Sequence, residues 1–250
     1  DSESQHLRQP AGNQSRQPSV KLHRQIRALP PHPVPLYICP DCYSKLDFAE
    51  GKPRCIRCSR PVDSESDAYC RDCSSKERRF DRGYAVMMHN VPARKILYDL
   101  KYMNMRQHAD FLGFEAAMRQ GRNIAMFRPD VIIPVPLHRK RLMKRGYNQA
   151  ALIAQRFVFY MELAGVTGLK IDEDYLIRTG STSPLKEMNG QERMTSLNGA
   201  FAVRRLEPGY KRILIIDDIF TTGATLNECS KILRQSGADV VYFLTASIGS

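Results

Sequence analysis

No apolar run in these 250 residues approaches the roughly 20 that a helix needs to cross a bilayer, which excludes a helical membrane span. The opening stretch, DSESQHLRQPAGNQSRQPS, has no apolar centre of the kind a secretory signal needs, and its Gln, Ser, Pro and Arg cannot bury a core of their own. Residues 1–35 therefore read as a flexible basic tail, and the cytoplasm is the expected compartment. Acids are the scarcer charge, 26 against 38 Lys and Arg, and the resulting +12 favours an anionic partner. The rest is ordinary: 42% hydrophobic and 26% charged residues suit one sizeable globular domain with a small appendage.

The positive charge is uneven. Between Ala93 and Gly146 there are twelve Lys and Arg against four Asp and Glu, an excess of eight that makes up two thirds of the net charge. A solvated basic face is the plain explanation of such a run; a phosphate-bearing ligand is the functional one.

Six of the seven cysteines form three Cys-x-x-Cys pairs: Cys39/Cys42, Cys55/Cys58 and Cys70/Cys73. Two sulfurs three positions apart on a tight turn can take adjacent corners of a tetrahedron, and two such turns close a four-thiolate zinc site. The surrounding CPDC, CIRCSRP and CRDC are poor in apolar bulk, so zinc would supply folding free energy that burial cannot. Cys55, Cys58, Cys70 and Cys73 are the favoured ligands, with Cys39 and Cys42 as alternatives for one pair. Such a site has no open position, so its metal is structural. Cys229 falls on the apolar face of a helix with Leu226, Ile232 and Leu233, and reads as core.

Beyond the cysteines, strands alternate with helices. RGYAVMMH reads as a strand, ARKILYDLKYM as a helix, Gln107 to Arg119 as another, VIIPV as a short buried strand, and NQAALIAQRFVFYMELAG as a long helix ended by Gly165. RILIIDD, LNECSKILRQSG and DVVYFLTASI then give strand, helix and strand. This order predicts a parallel sheet with ligands at the carboxyl ends of its strands. The expected divisions are the tail, a cysteine-rich zinc-binding segment over 36–80, and an α/β domain over 81–250.

Two strand ends stand out. After RILIIDD, the carboxylates of Asp217 and Asp218 can accept hydrogen bonds from ribose hydroxyls, directly or through a divalent ion. Thr221, Thr222, Gly223, Ala224 and Thr225 then lead into a helix, where backbone N–H groups and hydroxyls suit a phosphate and Gly223 lets the backbone come close. The turn lacks a Walker lysine, which argues against an ATPase. After VIIPV, the stretch PLHRKRLMKRGYNQ carries five cations within 139–145, suited to a diphosphate or to a nucleic-acid backbone.

Taken together, the three cysteine pairs, FDRGYAV, VPLHRKRLMKRGYNQA, IRTGSTSPLKEMNGQERMTSLNGAF and ILIIDDIFTTGATL resemble the ComF family (ComFC-like), which joins a zinc segment to a type I phosphoribosyltransferase-like domain. The resemblance runs from about Cys39 to Ser250. It implies that Asp217 and Asp218 contact the ribose of phosphoribosyl pyrophosphate in the presence of Mg²⁺, and that residues 221–225 cradle the 5-phosphate. By the same resemblance, Val135, Pro136 and Leu137 lie at the pyrophosphate, with Arg139 and Arg145 nearby to bind it or nucleic-acid phosphate. Residues 178–198 correspond to a mobile covering loop, with Arg178, Lys186 and Arg193 reaching the ligand; Leu185 stands where a Gln is expected. The family further implies a role in competence and DNA uptake, on single-stranded DNA and beside a helicase-like ComF partner, and Tyr98, Tyr102 and Tyr147 lie where a base would stack. Two readings stay open: a phosphoribosyltransferase with an unidentified acceptor and no catalytic residue assigned, or a non-catalytic module that senses phosphoribosyl pyrophosphate and binds single-stranded DNA.

Overall fold

A computed structural model describes residues 37–180, 199–205 and 209–249. The tail and the greater part of the expected covering loop, including Leu185, Lys186 and Arg193, lie outside the described residues.

Among the described residues the first elements are two short helices in the cysteine-rich segment, α1 (Pro40–Ser44) and α2 (Arg71–Ser75). There follow β1 (Arg82–Met88), α3 (Val91–Tyr102), α4 (Gln107–Phe127), β2 (Val131–Pro134), α5 (Arg139–Arg145) and α6 (Gln149–Leu163). A small antiparallel pair, β3 (Leu176–Arg178) and β4 (Phe201–Val203), precedes β5 (Arg212–Phe220), α7 (Ala224–Gln235) and β6 (Val240–Ile248). β1, β6, β5 and β2 lie side by side in that order and all run parallel, so the expected α/β class with a parallel sheet is what the chain forms.

Period-two alternation along β5 divides the core. Ile213 and Ile215 join Phe243, Leu226 and Leu233 on one face, while Leu214 and Ile216 join the α4 and α6 side chains on the other. These four residues have no exposed surface, and burying each such side chain contributes about 1.5–3 kcal/mol. α4 and α6 come close because Gly113 leaves room: a Cβ there would lie 2.5 Å from Arg156 Cβ and 2.7 Å from the Phe157 nitrogen.

Three elements differ from the sequence expectation. α4 runs eight residues past Arg119, because Gln120, Ile124 and Phe127 stay on the buried face and Gln120 donates a hydrogen bond to the Ala85 carbonyl at 3.0 Å. The basic stretch after Pro136 is helical: His138 caps α5, and Gly146, at φ +80°, ends it. β5 continues through Phe220, since Ile219 and Phe220 still pair with Ser247 and Ile248, so Asp217 and Asp218 lie within the strand and not at its end.

Both edges of the sheet are covered. Phe48 bridges Met87 on β1, with Ala49 N–H bonded to the Val86 carbonyl at 2.9 Å and Met88 N–H to that of Asp47 at 2.7 Å. On β2, Ile132 N–H bonds the Lys170 carbonyl at 2.7 Å, and Asp172 N–H returns to the Ile132 carbonyl at 3.0 Å.

Candidate functional site

A cavity of about 530 Å³ opens at the carboxyl ends of β2 and β5, where the fold class leads one to look. Its walls bring together Asp217 and Asp218 from β5, Thr221 from the turn after it, Thr225 from the first turn of α7, and Val135, Pro136 and Leu137 after β2. Arg145 of α5 and Arg178 of β3 complete the set named from the sequence. Thr222, Gly223 and Ala224 form the turn behind the wall without lining it. Arg139 faces a neighbouring cavity of about 870 Å³ instead, because the α5 turn carries it away while Arg141 and Arg145 point inward.

Further wall residues lie outside the expected ligand set. Lys101, Arg94 and Tyr98 come from α3, His89 from the end of β1, and Gln149 from the first turn of α6. The excess of positive charge signalled Lys101 and Arg94, Tyr98 stood out as an aromatic among those charges, and Gln149 closes the basic GYNQ stretch; nothing marked His89. Tyr98 and Tyr102 are both half exposed, with ring centroids 4.9 Å apart, and the Arg145 guanidinium lies 5.5 Å from the Tyr102 ring. Tyr147 is not available for stacking: it is buried, donates its hydroxyl hydrogen bond to the Leu100 carbonyl, and lies under Arg106.

The alternation of β5, continued by two residues, sends Asp217 and Asp218 to opposite faces of the sheet. Asp218 meets the helices: Gln149 Nε2 donates to its Oδ1 at 2.9 Å, and Lys101 Nζ forms an ion pair with its Oδ2. Burial by itself would push the Asp218 carboxyl up, but Lys101 and Gln149 outweigh that effect and hold it below the usual range. Asp217 is pushed well above the usual range by burial first and by the charge of Asp218 second. It has no ion-pair partner among the described residues, and its Oδ1 accepts only the Asp218 N–H, at 2.8 Å. Burial, with Lys101 and Arg94 close by, pushes His89 down, and burial and Arg141 lower Arg178. The cavity thus gathers cations whose mutual repulsion an anion relieves.

The turn at Thr221–Gly223 is geometrically fixed. Gly223 sits at φ +76°, and a Cβ there would meet the Phe220 ring at 2.5 Å. Glycine is therefore required by the ring behind it as well as by the backbone angle. α7 begins at Ala224, whose N–H reaches Thr222 Oγ1 at 3.4 Å.

On the far side of the turn, Cys55, Cys58, Cys70 and Cys73 place their sulfurs within 4.8 Å of one another. Tetrahedral zinc–thiolate bonds of about 2.3 Å set sulfurs about 3.8 Å apart, and Cys58 Sγ and Cys70 Sγ are 3.6 Å apart. The residues fit zinc, which when bound would serve as a structural crosslink between the two turns. All seven cysteines are free of disulfides. Cys39 and Cys42 are exposed and lie outside the cluster, Cys39 Sγ accepting the Cys42 N–H at 3.3 Å as the cap of α1. Cys229 is fully buried, as its helical spacing leads one to expect.

Fold and sites define an α/β protein in which a zinc-ribbon segment is joined to a parallel sheet bearing a cation-lined cavity. Residues 31–74 match the double zinc ribbon domain. The chain is 28% identical over 210 residues to Competence protein F of Haemophilus influenzae, covering 82% of this chain and 87% of that protein. It is 26% identical over 207 residues to Competence protein ComFC of Streptococcus pneumoniae, covering 80% and 83%. DNA utilization protein YhgH of Escherichia coli K12 is 26% identical over 193 residues, covering 76% and 82%. The chain is accordingly a relative of the ComF proteins, as its motifs indicate. No described helix is long and apolar enough to cross a membrane.

Proposed function

We propose that the cavity binds phosphoribosyl pyrophosphate and that the chain is a phosphoribosyltransferase-like protein serving competence and DNA uptake. One observation carries the reading: a buried carboxylate pair, a phosphate-suited turn and a group of cations converge on one cavity. Ribose hydroxyls would take Asp217 and Asp218, the 5-phosphate the turn from Thr221 to Thr225, and the pyrophosphate Arg141, Arg145 and Arg178. Asp217, lacking a cation of its own, suits Mg²⁺, which when bound would neutralise part of the ligand's charge. The competence role rests on the names of the relatives, Competence protein F, Competence protein ComFC and DNA utilization protein YhgH.

A second reading, a non-catalytic module that senses the ligand and holds single-stranded DNA, is favoured by α5. That helix buries none of its seven residues and presents five cations.

Phosphoribosyl pyrophosphate with Mg²⁺ should raise the thermal midpoint of the protein, and Asp217→Ala with Asp218→Ala should abolish the rise; an unmoved midpoint in the parent protein defeats the ligand assignment. Pyrophosphate release measured across a panel of bases and amines then separates the two readings: release with any acceptor identifies a transferase, and binding without release a sensor.

A further inference from the structure

The turn that would hold the 5-phosphate is gripped from behind by the zinc segment. Arg60, two residues after Cys58, donates from Nη2 to the Thr221 carbonyl, and Arg78, five residues after Cys73, donates from Nη1 to the Thr222 carbonyl at 3.2 Å. Asp72, between Cys70 and Cys73, steadies both guanidiniums: its Oδ2 lies 2.6 Å from Arg60 Nη1 and 3.9 Å from Arg78 Nη2. The Arg78 side chain is 1% exposed and that of Arg60 15%. Placing guanidinium groups there is costly unless they are paired, so their position is tightly specified.

The consequence follows from peptide geometry. In a planar trans peptide the C=O and the next residue's N–H point in opposite directions. Turning the Thr221 carbonyl back toward Arg60 turns the Thr222 N–H forward, and turning the Thr222 carbonyl toward Arg78 does the same for the Gly223 N–H. Neither N–H has an acceptor among the described residues. Further contacts fix the zinc segment to the same turn. Arg60 lies over the Phe220 ring at 5.4 Å, Arg79 N–H donates to Asn227 Oδ1 at 2.7 Å, and a Cβ on Gly223 would stand 3.3 Å from Arg78 Nη1.

We infer that the zinc segment is the rear clamp of the anion turn: Arg60 and Arg78, held by Asp72 beside the cysteine cluster, are positioning residues that aim the Thr222 and Gly223 N–H groups at an incoming phosphate. Filling the four-cysteine site thereby sets affinity for the ligand at a place the metal does not touch. The inference deepens the reading of the cavity as a phosphoribosyl pyrophosphate site and rests on it for the identity of the anion.

The test pairs a ligand-free readout with a binding one, on the zinc-loaded full chain. Hydrogen exchange of the segment 219–226 should quicken about tenfold in Arg60→Met and in Arg78→Met, and less in Asp72→Asn, with β6 unchanged. Arg60→Lys, which keeps a donor and a charge, should restore most of the protection. Calorimetric affinity for phosphoribosyl pyrophosphate with excess Mg²⁺ should fall about tenfold in the two Met variants and after treatment with a zinc-selective chelator. Unchanged exchange in the Met variants overturns the clamp whatever the ligand. Quickened exchange with unaltered affinity overturns the link between clamp and binding. Exchange and affinity both insensitive to the chelator overturn the role of the metal. Quickened exchange in a protein whose parent form binds no phosphoribosyl pyrophosphate supports the clamp while removing the ligand assigned to the cavity.

Discussion

Lys101 and Asp218, 117 positions apart in the chain, form an ion pair on the wall of the cavity. The lysine comes from α3, where no motif marks it, and the carboxylate from the strand that carries the most legible motif in the sequence. Asp218 is thus part of an internal charge balance before any ligand arrives.

Replacing Lys101 by Met leaves a buried carboxylate without its cation and should cost about 3 kcal/mol of stability at pH 7. In the parent protein the Asp218 carboxyl is held low, so its stabilising contribution is full above the ordinary carboxylate range and disappears as pH falls through its folded-state value. The difference between parent and variant should therefore narrow as acid protonates the carboxyl. Urea denaturation at neutral pH and at pH values below 4 measures both quantities; a difference independent of pH would mean that Lys101 acts by packing alone.

Zinc should be retained at one ion per chain when Cys39 and Cys42 are both changed to Ser, and lost when Cys55 or Cys73 is. Loss of the closed site should lower the thermal midpoint by many degrees, because this segment has little apolar burial of its own. Metal content by elemental analysis beside a melting curve checks it. Loss of the ion from the Cys39→Ser, Cys42→Ser variant would reassign the ligands.

Gly223→Ala should destabilise the fold by about 1–3 kcal/mol and remove the thermal shift caused by phosphoribosyl pyrophosphate, since its Cβ would drive into the Phe220 ring at a positive φ. Phe220→Leu should recover part of the space but not the backbone angle. Full recovery in the double variant would show that the ring alone imposes glycine.

His89 should link ligand binding to proton uptake. Burial and the charges of Lys101 and Arg94 hold it below its usual value of 6.5, and a bound anion offsets those charges, so its affinity for a proton rises on binding. Affinity should then increase as pH falls from 8 toward 6, and the measured binding heat should vary with the ionisation heat of the buffer. His89→Gln should abolish the variation. For folding alone the sign is the reverse: a histidine with a lowered value destabilises the native state as pH drops below 6.5.

Single-stranded DNA should bind with a steep dependence on salt, and neutralising Arg139, Lys140, Arg141, Lys144 and Arg145 should flatten it. An unaltered slope would place the DNA surface elsewhere.

The parallel sheet was legible because VIIPV, RILIIDD and DVVYFLTASI are short, dense in β-branched residues and separated by helical spacing. Asp217 and Asp218 were legible because two acids at the end of an apolar strand contradict burial unless they have a use. What could not be read was register in three dimensions. Nothing in the local pattern tells that β5 continues past its acids, that α3 delivers Lys101 and His89 lies opposite, or that Tyr147 turns inward. These are long-range packing outcomes, and a period of 2 or 3.6 reports only which face of its own element a residue occupies. The cysteine spacing announced a metal site. It did not reveal that Arg60 between those cysteines and Arg78 just beyond them, both paired with Asp72, reach across to the turn of another element.

The bridge from Phe48 to Met87 gives the cysteine-rich segment a further duty. β1 is an outer strand of a four-stranded sheet, and the backbone of residues 47–49 occupies hydrogen-bonding positions that a second molecule would otherwise seek. A chain deprived of its metal would then bare a ready-made adhesive border while the sheet itself still stood. Self-association would be the first visible sign of zinc loss, appearing in light scattering before any change in the signal of the α/β fold.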